Sequence, residues 1–204
     1  MKIRFAIFVL ALLHIYGCDP DVAGEGVTLS EMKFKFGLHP DSANLKIGDT
    51  LFIESSLSST IDGVKLTDGD VILGGVFSYS PLIPVSNIDS MESCLEGTHL
   101  NVITYSGDFR RLLPSKPNYL SDYIYSINSG KDSIRFKYGF ILLKKGVYVF
   151  TFTSSFYEGS KGKARTSATF NTVNPHWEWY ALDNFDTTPS NPDYYKSYLV
   201  AVTE

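Results

Sequence analysis

The side chains able to do chemistry are few and scattered. Beyond the first 17 residues the histidines are His39, His99 and His176, and none has the close spacing that sets two imidazoles on one metal. They read as loop or surface residues. Glu92, His99 and Asp108 share an irregular stretch where an acid–base site could sit, yet no partner for them is identifiable. Neither a Gly-x-Ser-x-Gly elbow nor a phosphate-cradling glycine loop ending in Lys-Ser/Thr occurs. Ser160-Lys161-Gly162-Lys163 has the letters of a basic turn, but it links two strands and opens no helix. Asp62-Gly63 and Asp68-Gly69-Asp70 lack the alternating acids of a calcium loop and read as turns around Val64-Lys65-Leu66. No catalytic residue, metal or cofactor is expected, and the chain is read as a non-enzyme.

Asn174-Pro175-His176-Trp177-Glu178-Trp179-Tyr180 is the most distinctive cluster. If it is extended, Trp177 and Trp179 share a face, because strand side chains alternate. Two exposed indoles in a row make a flat platform of the kind on which sugar rings stack. Trp177 and Trp179 are therefore candidate ligand-binding residues. Packing of the pair in the core beside Phe185 is the simpler reading, since Trp is highly buried on average.

Two thiols remain, Cys18 and Cys94. Lys2 and Arg4 precede an apolar run from Phe5 to Tyr16 broken only by His14, and Gly17 supplies a small residue before Cys18. That is the order of a secretory signal; the run is too short for a span, which needs about 20 apolar residues. Ile15-Tyr16-Gly17-Cys18 resembles the bacterial lipobox, with Tyr16 bulkier than the usual small residue there. The resemblance implies cleavage before Cys18 and a two- or three-chain lipid anchor on it, which holds where one acyl chain does not. Ordinary secretion, with cleavage after Gly17 or near Ala23 and a Cys18–Cys94 bridge, is the alternative. With Cys18 lipidated, Cys94 has no intrachain partner and reads as a buried structural thiol.

Loss of Lys2 and Arg4 with residues 1–17 takes the 18 basic residues to 16 against 22 acidic ones, a net charge of −6. Such a chain is a poor nucleic-acid binder. From Asp19 to about Thr28 little is available to bury, and the segment reads as a tether. Its Asp19, Asp21 and Glu25 resemble the acidic residues that follow the lipidated Cys in surface lipoproteins of the Bacteroidota; in enterobacteria an Asp at that position implies inner-membrane retention instead. The remaining length suits one domain whose core needs no disulfide.

Elements that would position any site are strands. Met32–Phe36, Thr50–Ser55, Val71–Phe77 and Leu100–Tyr105 alternate between turn residues. Residues 81–117 are less regular and carry several prolines. Ser133–Leu143, a Lys144-Lys145-Gly146 turn and Val147–Thr153 read as a hairpin, with Gly146 needing positive φ. Arg165–Val173 is a further strand. Asn191–Val200 has helix-start signals, but a closing strand with Tyr198, Val200 and Val202 on one face is preferred.

Gly146-Val147-Tyr148 resembles the Gly-x-Tyr start of a late strand in immunoglobulin-like sandwiches, where a tyrosine corner ties a loop to the sheet; an ordinary hairpin containing a Tyr is the alternative. Leu38-His39-Pro40 followed by Leu45–Ser55, with Ile47-Gly48-Asp49-Thr50, resembles the opening of small uncharacterised Bacteroidota lipoproteins carrying such a domain. The resemblance implies a location and a fold and no activity. The expectation is an all-β, two-sheet immunoglobulin-like sandwich with an irregular insertion near 81–120, organised as signal peptide 1–17, lipid-anchored tether 18–28 and domain 29–204. Its expected role is a non-enzymatic binding or scaffold module of the bacterial cell envelope, anchored to the outer membrane through Cys18, with an envelope protein as partner. Capture of a glycan on Trp177 and Trp179 for a polysaccharide-uptake system is the alternative, and an enzyme with an unrecognised site is a third.

Overall fold

Alternation of apolar and polar residues makes this chain a set of strands. The computed structural model describes residues 29–42, 44–82, 91–106, 108–110, 122–127, 131–172, 176 and 196–204, among which there is no helix. Its strands are β1 (Met32–His39), β2 (Asn44–Lys46), β3 (Thr50–Ser58), β4 (Thr60–Ile61), β5 (Val64–Lys65), β6 (Gly69–Ser80) and β7 (Glu92–Ser93). They continue with β8 (Leu100–Ser106), β9 (Asp108–Arg110), β10 (Asp122–Ile127), β11 (Ser133–Leu142), β12 (Gly146–Gly159), β13 (Gly162–Phe170) and β14 (Ser197–Thr203). In β1 the residues Met32, Phe34, Phe36 and Leu38 are buried and Lys33, Lys35 and His39 exposed, the period of 2 that a half-buried strand requires.

These strands form two main sheets and a separate β4-β5 hairpin. The first runs β8-β11-β3-β1. The second is built on β12 and β6, paired along almost their whole length; β13 and β14 share the free edge of β12, and β10 and β7 share that of β6. β9 extends this sheet beyond β10, and β2 lies parallel to β14. β1 belongs to both sheets. Its Met32–Phe36 half runs parallel to β13, and Gly37–His39 then pairs antiparallel with β3. The fold is the expected all-β two-sheet sandwich, and the irregular stretch around 81–120 supplies the short strands β7 and β9 and the edge strand β8. The C-terminal segment is a strand, with Tyr198, Val200 and Val202 in the main core.

The hairpin expected across Lys144–Gly146 is not one. Among the described residues β11 pairs with β3 and β8, in the first sheet, and β12 with strands of the second. Both strands already have neighbours on each side, so their apolar rows face each other across the core instead of lying side by side. Phe140 stacks on Phe150 with centroids 4.9 Å apart, and Phe77 closes on both at 5.3 and 5.7 Å. The turn is thus an arch from one sheet to the other. Gly146 makes it with φ at 147°, and a Cβ there would run into the Ser80 carbonyl oxygen and the Tyr79 ring.

Tyr148 fixes this arch. Its hydroxyl accepts from the Lys144 N–H at 3.1 Å and shares its proton between the carbonyls of His99, at 2.6 Å, and Lys144, at 3.0 Å. This is a tyrosine corner, the reading that sequence left open against a plain hairpin. The other turns follow their residues. Asp62-Gly63 is a two-residue hairpin turn with φ of 51° and 77°, the primed geometry that Asp-Gly favours, and Asp49 Oδ2 accepts from Lys46 N at 2.8 Å to close the turn before β3.

Gly146→Ala is expected to lower unfolding free energy by about 2–4 kcal/mol, through positive-φ strain plus overlap with backbone that cannot yield. Tyr148→Phe removes the hydroxyl's hydrogen bonds to the arch, for about 1 kcal/mol, since His99 O keeps the Leu143 N–H at 2.9 Å. Urea titration of both variants checks this; a Gly146→Ala midpoint equal to that of the parent would show that the arch is not held as described.

Candidate functional site

Two places gather polar chemistry, and they differ in access. The first lies inside the arch. Glu92 and His99, expected in the irregular stretch without an identifiable partner, meet at 2.9 Å between Oε1 and Nε2. The chain reverses between β7 and β8, with the N–H groups of Thr98 and His99 bonded to Leu95 O, and that reversal brings residues 92 and 99 together. The His99 Nδ1 accepts from Leu95 N at 3.0 Å, so Nε2 carries the proton and the ring is the neutral tautomer. Its other face stacks on Tyr79 at 4.6 Å, and Tyr79 Oη donates to Lys145 O at 2.6 Å. Both ring nitrogens are engaged and the side chain is 2% exposed, so no lone pair is left to reach a substrate. The pair pins the 91–100 loop onto the arch. Cys94 is buried beside it as a free thiol, and burial first, then the Glu92 charge, pushes its ionisation well above the ordinary range, which makes it inert. Asp108 belongs to β9, and its side chain is outside the described residues.

A smaller polar group closes the other side of the core. The Asp41 carboxylate accepts from Thr172 Oγ1 at 3.1 Å and from Tyr198 Oη at 3.2 Å, with His176 Nε2 at 3.9 Å. His176 is buried with φ at 60°, so this residue itself is not in strand conformation. Trp177, Trp179 and Cys18 lie outside the described residues. Among the described residues no three His, Cys, Asp or Glu side chains converge as a metal site.

The second place is open to solvent: the outward face of the first sheet. Pairing sets its side chains in rows. One row is His39, Phe52, Gly139 and Ile103; the next is Gly37, Glu54, Lys137 and Ser106; Ser56 and Arg135 follow. Gly139 is what makes the first row flat. A Cβ on it would stand 2.9 Å from Thr50 Cγ2 and 3.2 Å from Phe52 Cδ1, so the Phe52 ring lies over the bare backbone. In the second row β8 carries a bulge, for Lys137 pairs with Ser106 while Tyr138 pairs with Thr104. Tyr105 is the extra residue, and Ser106 Oγ holds the bulge by donating to Arg135 O at 2.6 Å. The bulge leaves Tyr105 56% exposed, 6.1 Å from the Phe52 ring and with Lys137 Nζ 5.8 Å from its own centroid.

Beside this aromatic shelf the missing side chain of Gly37 leaves a trough of about 520 Å³ between Lys35, Glu54, Ser56, Arg135 and Lys137. Lys137 Nζ reaches Glu54 Oε2 at 3.1 Å, and His39 Nε2 lies 3.5 Å from Oε1 of the same carboxylate. Arg135 Nε donates to Ser133 Oγ at 3.1 Å. Among the described residues, Lys35, Arg135 and Lys137 stand with Glu54 around this trough. Sequence reasoning missed this face because its residues come from four strands 35 to 139 in the chain, and because a bulge has no sequence signal of its own.

The fold is similar to that of cohesin and reeler modules. The seventh ScaB type I cohesin from Pseudobacteroides cellulosolvens is 10% identical, over 86% of this chain and 94% of that one, with a TM-score of 0.39. The Reelin-N domain of F-spondin is 7% identical over 92% and 99%, with a TM-score of 0.36. A chain of a type II Cohesin-X-Dockerin complex from Acetivibrio cellulolyticus is 12% identical over 69% and 96%, with a TM-score of 0.35. No family model matches this chain, and no curated protein does.

Burial first, then the Lys144 charge, lowers the His99 pKa below its ordinary 6.5, against the opposing pull of Glu92. A depressed histidine contributes stability that is complete above pH 6.5 and is lost as pH falls from there through the folded-state value. The thermal midpoint is therefore expected to drop between pH 7.5 and 5.5, and His99→Gln, which keeps one acceptor and one donor, to shrink that drop. An identical drop in the variant would assign the pH response elsewhere.

Proposed function

We propose that this chain is a non-enzymatic binding or scaffold module of the bacterial cell envelope, held at the outer membrane by lipid on Cys18, with the outward face of the first sheet as its binding surface. One observation carries the surface: a bulge turns Tyr105 out, and Phe52 lies over Gly139 beside it, on a face ringed by charged side chains. An aromatic cluster next to Arg and Lys at the surface is the composition of an interface centre, where Tyr, Phe and Arg are enriched. The corresponding end of the second sheet is used differently, since Val147, Val149 and Leu199 on its outer side are buried with Met91 packed on them. The Glu92–His99 pair, the polar couple closest to an acid–base site, is consumed in holding the arch. This supports binding over catalysis.

The anchor rests on the run of residues before Cys18 and on the inert, buried state of Cys94, which needs no partner. Ser30, second of the described residues, has both its N–H and its Oγ bonded to the Asp62 carboxylate, at 2.5 and 2.8 Å. The domain is thus gripped within two residues of the proposed tether, 18–28. Glycan capture on Trp177 and Trp179, which lie outside the described residues, remains the second reading of the module.

Two measurements test the proposal. Mass spectrometry of the mature amino terminus is expected to find Cys18 first in the chain and carrying diacylglycerol, and Cys18→Ser to free the chain from the membrane fraction; an unmodified Cys18 thiol or a Cys18–Cys94 bridge would remove the anchor. A photo-crosslinking residue at Ile103 is expected to give one defined adduct in native envelopes, lost with Tyr105→Ala while the thermal midpoint stays within about 2 °C, as a surface change allows. Adducts as frequent from position 156, on β12, as from 103 would remove the face.

A further inference from the structure

We infer that His99 is a proton-operated latch on residues 91–97. In mild acid a second proton on its ring releases Leu95, and the segment swings off the arch, uncovering the Cys94 thiol and lifting Met91 from Val147, Val149 and Leu199. This device belongs to the second sheet and is independent of the proposed binding face.

The closed geometry admits only a neutral ring. Leu95 N–H donates to Nδ1 at 3.0 Å, and Nε2 lies 2.9 Å from Glu92 Oε1. A second proton must go to Nδ1, where it meets another donor. Turning the ring over brings no relief, because the charged ring presents an N–H on either side. The ring is 2% exposed and stacked on Tyr79 at 4.6 Å, so it cannot leave alone and the backbone has to move. The charges around it do not reverse this. Glu92 of β7 favours the charged ring but is 59% exposed, while burial and Lys144 of the arch oppose it. Burial keeps Tyr79 of β6, Tyr148 of β12 and Cys94 neutral, and Lys145 turns to Glu204 at 3.3 Å.

The two sides of the contact are held unequally. His99 is fixed to the arch, its carbonyl accepting from Leu143 N at 2.9 Å and from Tyr148 Oη at 2.6 Å. Residues 91–97 join β6 through a two-residue ladder, Glu92 and Ser93 against Tyr79 and Ser78, and through Cys94 N–H to Phe77 O at 2.7 Å. Gly97, with φ at 77° and open space around it, stands between this segment and β8 as a hinge. Opening costs the bonds from Thr98 and His99 N–H to Leu95 O, groups that water can then satisfy. It also takes Met91 off the apolar cluster of Val147, Val149 and Leu199. The open segment leaves Nδ1 with its ordinary affinity for a proton, so the open fraction grows as pH falls below 6.5.

Hydrogen exchange of the full chain in detergent tests this, read as protection factors so that the intrinsic pH dependence cancels. Protection of residues 92–98 is expected to lie at least about tenfold below that of β11, the mark of a local opening. It should fall a further roughly three- to tenfold from pH 7.5 to 5.5, the limit for one proton. Labelling of the Cys94 peptide by dithiodipyridine, relative to the urea-unfolded chain at the same pH, should rise by the same factor. His99→Gln is expected to flatten both responses, and Glu92→Gln, which keeps an acceptor for Nε2–H, to retain them. Protection equal to that of β11 would mean that the segment opens only when the whole domain unfolds. A pH-independent parent, an unchanged response in His99→Gln, or its loss in Glu92→Gln would take the proton away from His99; each of these results overturns the latch. If His99→Gln does not fold, the parent and Glu92→Gln still decide.

Discussion

Phe36 is the point on which both sheets turn. Its backbone is the last of β1 to pair with β13, and Gly37 is the first to pair with β3, so the strand changes sheets between these two residues. The ring, fully buried, lies 5.8 and 6.3 Å from Phe136 and Tyr138 of the first sheet and stacks on Phe152 of the second at 4.7 Å. Asn171 N–H donates to the Phe36 carbonyl at 2.7 Å as β13 ends. One residue thus joins the hydrogen-bond ladder of one sheet to the next and fills the space between them. The aromatic layer radiates from it. Tyr123 and Tyr125 of β10 meet Phe136 at 5.0 and 5.3 Å, and Phe152 passes the contact to Phe170 at 4.8 Å. Offset aromatic pairs add about 0.5–1.5 kcal/mol each beyond their area, so a chain with no disulfide among its described residues has a large alternative source of cohesion.

Sheets packed by rings alone would slide, and buried tyrosine hydroxyls resist that. Tyr79 donates to Lys145 O, Tyr148 to His99 O, Tyr157 to Asp68 O and Tyr198 to Ser42 O, each from a strand to a turn or loop. Each ring belongs to the core, and each hydroxyl ends on a backbone carbonyl of a turn or loop. A phenylalanine would fill the same volume and fix nothing. The choice of Tyr over Phe at these positions is therefore what sets the loops relative to the sheets, and the arch at Gly146, gripped by Tyr79 on one side and Tyr148 on the other, is the most strongly specified of them.

Strand positions were legible because they depend on local alternation, and so were Gly146, Gly162 and the Asp62-Gly63 turn, whose backbone angles those residue types favour. Pairing was not legible. β11 and β12, separated by a three-residue turn, look like a hairpin in sequence; what separates them is competition from β3, β8 and β6, residues far away in the chain. The same holds for β1, whose division between two sheets has no local mark. Glu92 and His99 were visible as chemistry-bearing residues, but whether they meet was decided by the reversal at Leu95–His99 and whether they act by the Leu95 N–H on the second ring nitrogen.

Alternation also keeps core and outer face independent. Along β11, Ile134, Phe136, Tyr138 and Phe140 point inward, while Arg135 and Lys137 point out, so the charges of the face can change without disturbing a core ring. Gly139 is the exception. It stands on the outward side between Tyr138 and Phe140, and any side chain there would collide with Phe52 and Thr50. The bulge one row away is a second departure from regular pairing, and together they turn a plain strand surface into a shelf with one aromatic ring lying flat and another standing free. A sheet pressed only by folding requirements would place a β-branched residue at 139 and keep β8 in register, since both favour strand stability. Both are given up side by side on the outward face of the first sheet, and the proposed binding role of that face rests on this pair of departures.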